Sequence, residues 1–456
     1  MSSIPQQGRR LLVVIGLALG FAMVPSLPAT ATTALEATPE CPPVLMAKCS
    51  FDAAVYVNNN PADYTDYSNY DLANRPADGN KIRGVTIHDV EGTCEAAVDH
   101  YQDSGSFVSA TYTICADGRV IQSVPLKNIA WTAGNWWYNS HFVQIEHAGY
   151  ASSPTGYTQA MYTSSIQLVR WLSQKYGFTL DKAHVQGHDN VPATRGSGIA
   201  TQHVDPGPFW NWQNYLAALR LGSPVSISGN PLTTKMVTIA PLWPLSKQIV
   251  TGCNVSNDVP PPCVPAGGPY VTNFVYLRTA PSQAAALITD PVTGPGSTEI
   301  ENRSARAFYG SKFAVADRHV ESKGIWYKIW FGGQDAWFYS PYAAPTAFPA
   351  GGQCAKPTGS TAVPVYGRPL PELSEWPAGF TPPPGSQPAP TALPYTVQPG
   401  QCYAVIDADV TPDHYFTWSF GNELPRFRVV GATKYVWLDF NGRHAFVKRS
   451  DVTLAS

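Results

Sequence analysis

Between Ile82 and Leu219 short β-rich runs alternate with stretches of helical periodicity, and beyond Leu219 the helical period disappears. That switch restricts the chain to an α/β domain followed by all-β structure. Ile82 to His88, carrying Val85 and Ile87, reads as a strand. Thr93 to Gln102 reads as a helix capped by Thr93, with Ala97, Val98 and Tyr101 on its apolar face. Residues 110–115 and 119–124 flank Ala116-Asp117-Gly118, a hairpin signal. Phe142 to Gly149 reads as another strand. Tyr157 to Tyr176 is the clearest helix: Tyr162, Ile166, Val169, Leu172 and Tyr176 recur at helical spacing and Gly177 stops it. Phe209 to Leu219 reads as a short final helix. The expected fold is an α/β domain over 81–221, with a mixed central sheet flanked by helices.

The flanks differ in kind. Residues 222–269 are rich in Pro, Gly and Ser and read as a linker. Beyond it, Trp326 to Phe338 and Tyr435 to Val447 share one order: apolar run, tight turn, apolar run. Gly332-Gly333 and Asn441-Gly442 occupy the turn, where positive φ is required. Two small all-β barrels are expected, at 270–342 and 360–456, with Thr381 to Pro394 as a loop in the second. Residues 32–80 read as an irregular extension. At the start, Arg9 and Arg10, the apolar run Leu11 to Val24 and Ala29-Thr30-Ala31 make a secretory signal over 1–31. A membrane anchor is the rival, but the run is shorter than the ~20 residues a spanning helix needs. No later stretch is long and apolar enough to span a bilayer, so the mature form is expected off the membrane, secreted and cell-wall associated, as a monomer.

Net charge is −2 and only 14% of residues are charged, against about 25% in an average globular chain. No basic patch of the kind that holds nucleic acid is present. The eight cysteines, an even number in an exported chain, argue for disulfides. The simplest pairing joins neighbours: Cys41–Cys49, Cys94–Cys115, Cys253–Cys263 and Cys354–Cys402. Sequence alone leaves the connectivity open. No CxxC occurs, which argues against cysteine zinc ligands.

Seven of the ten histidines fall between His88 and His203: His88, His100, His141, His147, His184, His188 and His203. Imidazole is the commonest metal ligand, and a catalytic zinc takes three protein ligands and keeps one position open. A lone histidine is more often a core or surface residue. Context singles out three positions. His88 ends an apolar strand, His188 follows a strand that breaks at Gly187, and Asp205 sits in a Pro- and Gly-rich turn before an aromatic helix. No short-range motif such as HExxH joins them.

Seven blocks then appear in order: Val85-Thr86-Ile87-His88; Ser109-Ala110-Thr111-Tyr112; Asp117-Gly118-Arg119-Val120; Ala130 to Asn135; Gln144-Ile145-Glu146-His147; Gly187 to Pro192; and Asp205-Pro206-Gly207-Pro208. Across residues 82–212 they resemble the zinc-dependent N-acetylmuramoyl-L-alanine amidases of the type-2 amidase and peptidoglycan-recognition family. By position, the resemblance implies that His88, His188 and Asp205 hold Zn2+, that Glu146 is the catalytic acid/base, and that His203 is a second catalytic side chain. On its own, Glu146 would read as a strand carboxylate in a surface ion pair. His147, next on the strand, should face the opposite way. Thr111 and Thr132 stand where relatives often have histidine, and the stretch from His188 to Asp205 is longer than usual. Trp131, Trp136, Trp137 and Tyr138 either border the cleft or pack in the core.

The implied function is hydrolysis of the bond between N-acetylmuramic acid and L-alanine in peptidoglycan, glycan strand and peptide stem being the partner. The β modules resemble SH3-like domains, on the Leu277 to Pro281 block and the Trp-rich hairpin. The rival from another class is a non-catalytic peptidoglycan-binding protein of the same fold. A third reading, a disulfide-stapled adhesion protein, leaves the ordered blocks unexplained.

Overall fold

The computed structural model describes residues 38–221, 229–252, 268–380, 388–421 and 426–456. The 1–31 signal segment and the Cys253–Cys263 pair lie outside the described residues, as do 381–387 of the expected loop. Among the described residues no helix is long and apolar enough to cross a membrane.

The first domain is built on β1 (Cys49–Phe51), β2 (Gly84–Ile87), β3 (Tyr112–Ile114), β4 (Val120–Gln122), β5 (Phe142–His147) and β6 (Val185–Gly187). They form one six-stranded sheet in the order β1-β4-β3-β5-β2-β6. Pairing is parallel throughout except in the β3–β4 hairpin, so the sheet is mixed. At the hairpin tip Gly118 has φ +87°, and a Cβ there would meet the Ala160 carbonyl at 2.9 Å, so both turn and packing call for glycine. The helices are α1 (Cys94–Gln102), α2 (Trp136–His141), α3 (Gln159–Tyr176) and α4 (Trp212–Leu219). Thr93 caps α1 through the Ala96 N–H, and Gly177 ends α3 in the left-handed conformation. The buried stripe of α3 is Met161, Ser164, Ser165, Leu168, Val169 and Leu172. The expected Tyr162, Ile166 and Tyr176 only flank that stripe, because two serines let the helix sit against the sheet and donate into it.

Two segments carry order that periodicity did not show. Within the stretch read as irregular, β1 pairs parallel with β4, and its first residue is tied by Cys41–Cys49. Three residues are too short to display a period. Within the stretch read as linker, Met236–Ile239 (β7) is wholly buried. It lies between β8 (Lys312–Glu321) and β11 (Ala347–Pro349) in a five-stranded sheet completed by β9 (Gly324–Phe331) and β10 (Gln334–Pro341). Four apolar-rich residues were averaged away by the Pro and Gly around them. The last sheet has seven strands: β12 (Cys354–Pro357), β13 (Val363–Tyr366), β14 (Ala392–Val397), β15 (Tyr403–Val410), β16 (Tyr435–Asp439), β17 (His444–Lys448) and β18 (Val452–Ala455). Both expected hairpins are present, β9–β10 around Gly332-Gly333 and β16–β17 around Asn441-Gly442. Cys94–Cys115 and Cys354–Cys402 are bonded as neighbours.

These units share cores. Trp137, Tyr138, Phe142 and Val191 of the first domain pack with Val410, Tyr435, Trp437 and Phe446 of the last sheet. Ala193 and Ile199 enter that sheet's own core.

Candidate functional site

The sheet register assembles the site. Ile87 is level with Ile145 on one neighbouring strand and with Gly187 on the other. The next residue along each strand is therefore His88, Glu146 or His188, side by side at the carboxyl edge of three parallel strands, where α/β sheets place their ligands. Gly187 allows the fourth residue in: a Cβ there would lie 2.7 Å from Pro206 Cδ. Asp189 N–H then bonds the Asp205 carbonyl at 2.7 Å, and Asp89 N–H bonds Asp205 Oδ2 at 3.2 Å.

His88, His188 and Asp205 are buried, with one ligand atom of each lying within 4.8 Å of the others. His88 Nδ1 is 3.0 Å from His188 Nδ1 and 3.5 Å from Asp205 Oδ2, and His188 Nδ1 is 3.2 Å from Asp205 Oδ1. The far nitrogens are committed. His88 Nε2 meets Gln144 Oε1 at 2.8 Å, and Gln144 donates its own amide hydrogens to the carbonyls of Tyr138 and Phe142. Gln144 Oε1 must therefore accept, and His88 Nε2 must carry the proton. His188 Nε2 likewise donates to the Ala133 carbonyl at 3.1 Å. Both Nδ1 atoms are left with lone pairs aimed at each other and at a carboxylate whose Oδ1 has no hydrogen-bond partner. Converging lone pairs repel unless a cation lies between them. Two imidazoles and a carboxylate, each imidazole steadied by an outer hydrogen bond, are a donor set that fits zinc.

Electrostatics agree with that geometry. Burial presses His188 down to about 4, despite Asp205 beside it. Burial opposes charge on Asp205, yet the imidazoles of His188, His203 and His88 around it hold its carboxyl well below the usual carboxylate range. Glu146 is 9% exposed, and its Oε2 has no partner among the described residues. Burial pushes its carboxyl well above the ordinary value, and Asp205, Asp89 and Glu91 add to the push. His203 lies at the mouth, 70% exposed, with Nδ1 3.6 Å from Asp205 Oδ1 and its ring stacked on His188 at 4.7 Å. The neighbouring Asp205 carboxylate raises its pKa. All five residues line one cleft of about 900 Å3, with Thr132 and His100 on its walls and Ile300 and Glu301 of the first β module at its rim.

His147 faces away, as strand alternation requires, but it is no bystander. Its Nδ1 donates to the His88 carbonyl and its Nε2 takes the Ser165 hydroxyl, both at 2.9 Å. Thr111 is fully buried and does not line the cleft. The four aromatics divide: Trp137 and Tyr138 are core residues, while Trp131 and Trp136 line a separate cavity.

Sequence reasoning missed the outer supports. Gln144 stood inside a matched block without a role, because glutamine alone signals nothing. Arg443, in the β16–β17 turn, donates to the carbonyls of Val191, Gln202 and His203 at 2.9 Å each, and to those of Asp189 at 3.3 Å and His188 at 3.4 Å. Arg303 of the first β module sits 3.1 Å from Asp189 Oδ2. Contacts across more than a hundred residues leave no local pattern.

Residues 78–208 match the N-acetylmuramoyl-L-alanine amidase family. N-acetylmuramoyl-L-alanine amidase A of Achromobacter lyticus is 28% identical over 183 residues, 38% of this chain and 95% of that protein. The 1,6-anhydro-N-acetylmuramyl-L-alanine amidase AmpD of Enterobacter cloacae is 30% identical over 127 residues, 26% of this chain. The chain spans 62% of that relative's length. Among solved structures, a selenomethionine AmpD derivative aligns at 25% identity over 33% of this chain and 89% of its own, with a TM-score of 0.27. The stretch that matches the amidase family, residues 78–208, contains His88, Glu146, His188 and Asp205, and this similarity marks the chain as an amidase-type enzyme.

Proposed function

We propose that the chain is a secreted, zinc-dependent peptidoglycan hydrolase that cleaves the amide bond between N-acetylmuramic acid and L-alanine. The observation that carries this is the convergence of His88 Nδ1, His188 Nδ1 and Asp205 beside an unpartnered, buried Glu146. Zinc held by those three residues would supply Lewis acidity toward the amide carbonyl and toward a water. Glu146, next to them on the sheet edge, takes the proton of the attacking water as oxygen bonds to the carbonyl carbon. As the C–N bond breaks it returns that proton to the departing amine of L-alanine. A carboxyl held high by burial suits both halves of that exchange. His203, kept protonated more readily by Asp205, donates to the oxygen that gains charge in the tetrahedral stage. Its exposure at the mouth leaves it free to swing onto substrate.

The remaining assignments belong to the same reading. Export is supported by the Arg9 to Ala31 pattern and by three disulfides among the described residues. The two β sheets are read as SH3-like, wall-binding modules on their paired hairpins, and the protein as a monomer. Digestion of purified peptidoglycan followed by mass spectrometry tests the reaction. Free stem peptides beginning at L-alanine, lost with a chelator and restored by zinc, are expected. Products cut at glycosidic bonds or inside the stem would contradict it.

A further inference from the structure

Beside the metal cleft a second cavity, of about 350 Å3, opens between the first domain and a separate strand pair of the C-terminal module, Asp413–Phe416 with Phe427–Val430. That volume is in the range of small-molecule sites, about 300–1,000 Å3. Trp131 and Trp136 line one side, and His414 and Trp418 the other, with Arg368 and Phe107 completing the wall. We propose that this cavity binds a sugar unit of the glycan strand, next to the unit whose amide is cut. The proposal rests on the peptidoglycan reading above.

Three observations point to a sugar. First, the indoles are fixed and their polar edges are spent. Trp131 Nε1 donates to Asp71, Trp136 Nε1 to the Tyr415 carbonyl at 3.2 Å, and Trp418 Nε1 to the Thr65 carbonyl at 3.3 Å. All three remain partly exposed, so they can offer a ligand ring faces and little else. Oriented ring faces suit the C–H face of a pyranose. Second, among the described residues no free carboxylate lines the cavity: Asp71 is 2% exposed and already accepts from Tyr67 and Trp131. A cationic ligand would find no counter-charge among them. His414 is 7% exposed and its Nδ1 has no hydrogen-bond partner among the described residues. A buried polar atom of that kind costs free energy until something supplies it, and a sugar hydroxyl or acetamide can. Third, the cavity adjoins the cleft. Phe107 and Trp131 line the cavity while their neighbours Val108 and Thr132 line the metal cleft. One residue's width separates the two, so a strand reacting at the metal lays an adjoining sugar here.

The test uses the full chain and a soluble β-1,4-linked tetramer of N-acetylglucosamine, which has the sugar faces but no peptide and no amide to cut. Titration followed by tryptophan fluorescence should show saturable binding. Phe107→Ala, at a side chain 52% exposed, should weaken it roughly tenfold. Trp418→Ala should do the same, with Trp418→Phe restoring most of the affinity. Tyr342→Ala, on an exposed turn of the first β module, should leave binding as it is. The tetramer binding here in a protein that fails to cut peptidoglycan would sink the reaction and keep the sugar site. A protein that cuts peptidoglycan but does not bind the tetramer, or binds it equally in Phe107→Ala and Trp418→Ala, would overturn the site. So would displacement of the fluorescence change by a free stem peptide and not by sugar.

Discussion

Gln144 sets the tautomer of His88. Its amide hydrogens are held by two carbonyls, so its oxygen can only accept, and His88 Nδ1 is left as a ligand. Gln144→Leu removes that constraint and should lower zinc affinity about 10–100-fold, while Gln144→Glu, which can still accept, should retain most of it. Competition with a chromogenic chelator measures both. His414 gives a second prediction, in pH. Burial, with Arg368 adding, lowers its pKa to about 3, while in the unfolded chain it is about 6.5. The folded state therefore keeps His414 neutral where the unfolded state takes a proton. Its contribution is complete above about pH 6.5 and is lost as pH falls toward 3, by about 1.4 kcal/mol per unit. Denaturation of wild type and His414→Gln across that window should show their stability difference shrinking with falling pH; a constant difference would refute the assignment. At this scale the sequence was informative where chemistry and position coincide. His88 and His188 announce themselves by ending strands, and Asp205 by its Pro and Gly setting. Gln144 and the Ala133 carbonyl do not, because their roles depend on a neighbour in space.

Among the elements, the register of three parallel strands does the assembling, and one turn from far along the chain holds the result in place. The β16–β17 turn delivers Arg443 to five carbonyls on the two segments that carry His188 and Asp205. Asn190 answers by donating to the Gly442 carbonyl at 2.8 Å. Arg443→Met should leave those carbonyls short of donors, with unfolding free energy reduced by about 1–3 kcal/mol and zinc held more weakly. Arg443→Lys should recover part of each loss, since one ammonium cannot reach as many acceptors. Unchanged zinc affinity in Arg443→Met would show the clamp to be idle. Long periodic elements were legible from sequence, α3 and the two glycine-turned hairpins above all. Strands β1 and β7 were not, being three and four residues long and embedded in turn-rich composition.

For the molecule as a whole, domains that look like separate beads in sequence are fused. Trp137 packs edge-on against Trp437 and Phe446 at 6.0 and 5.2 Å, and Phe142 shares that core. Each large side chain uncovered costs about 1.5–3 kcal/mol, against a total stability of about 5–15 kcal/mol. A chain cut after residue 221 should accordingly be poorly soluble or melt well below the full protein, despite holding every ligand. A truncated domain as stable as the whole would mean these contacts contribute little. No periodicity could reveal this fusion, because the same apolar pattern serves a private core and a shared one.

The most direct test of the metal site compares zinc content with turnover in four variants. His88→Ala, His188→Ala and Asp205→Ala should each lose zinc and activity together, since two remaining ligands hold an open site too weakly. Glu146→Gln should bind zinc like wild type and lose roughly 10²–10⁴-fold in amidase rate. Full activity in Glu146→Gln, or undiminished zinc in the three ligand variants, would contradict the account.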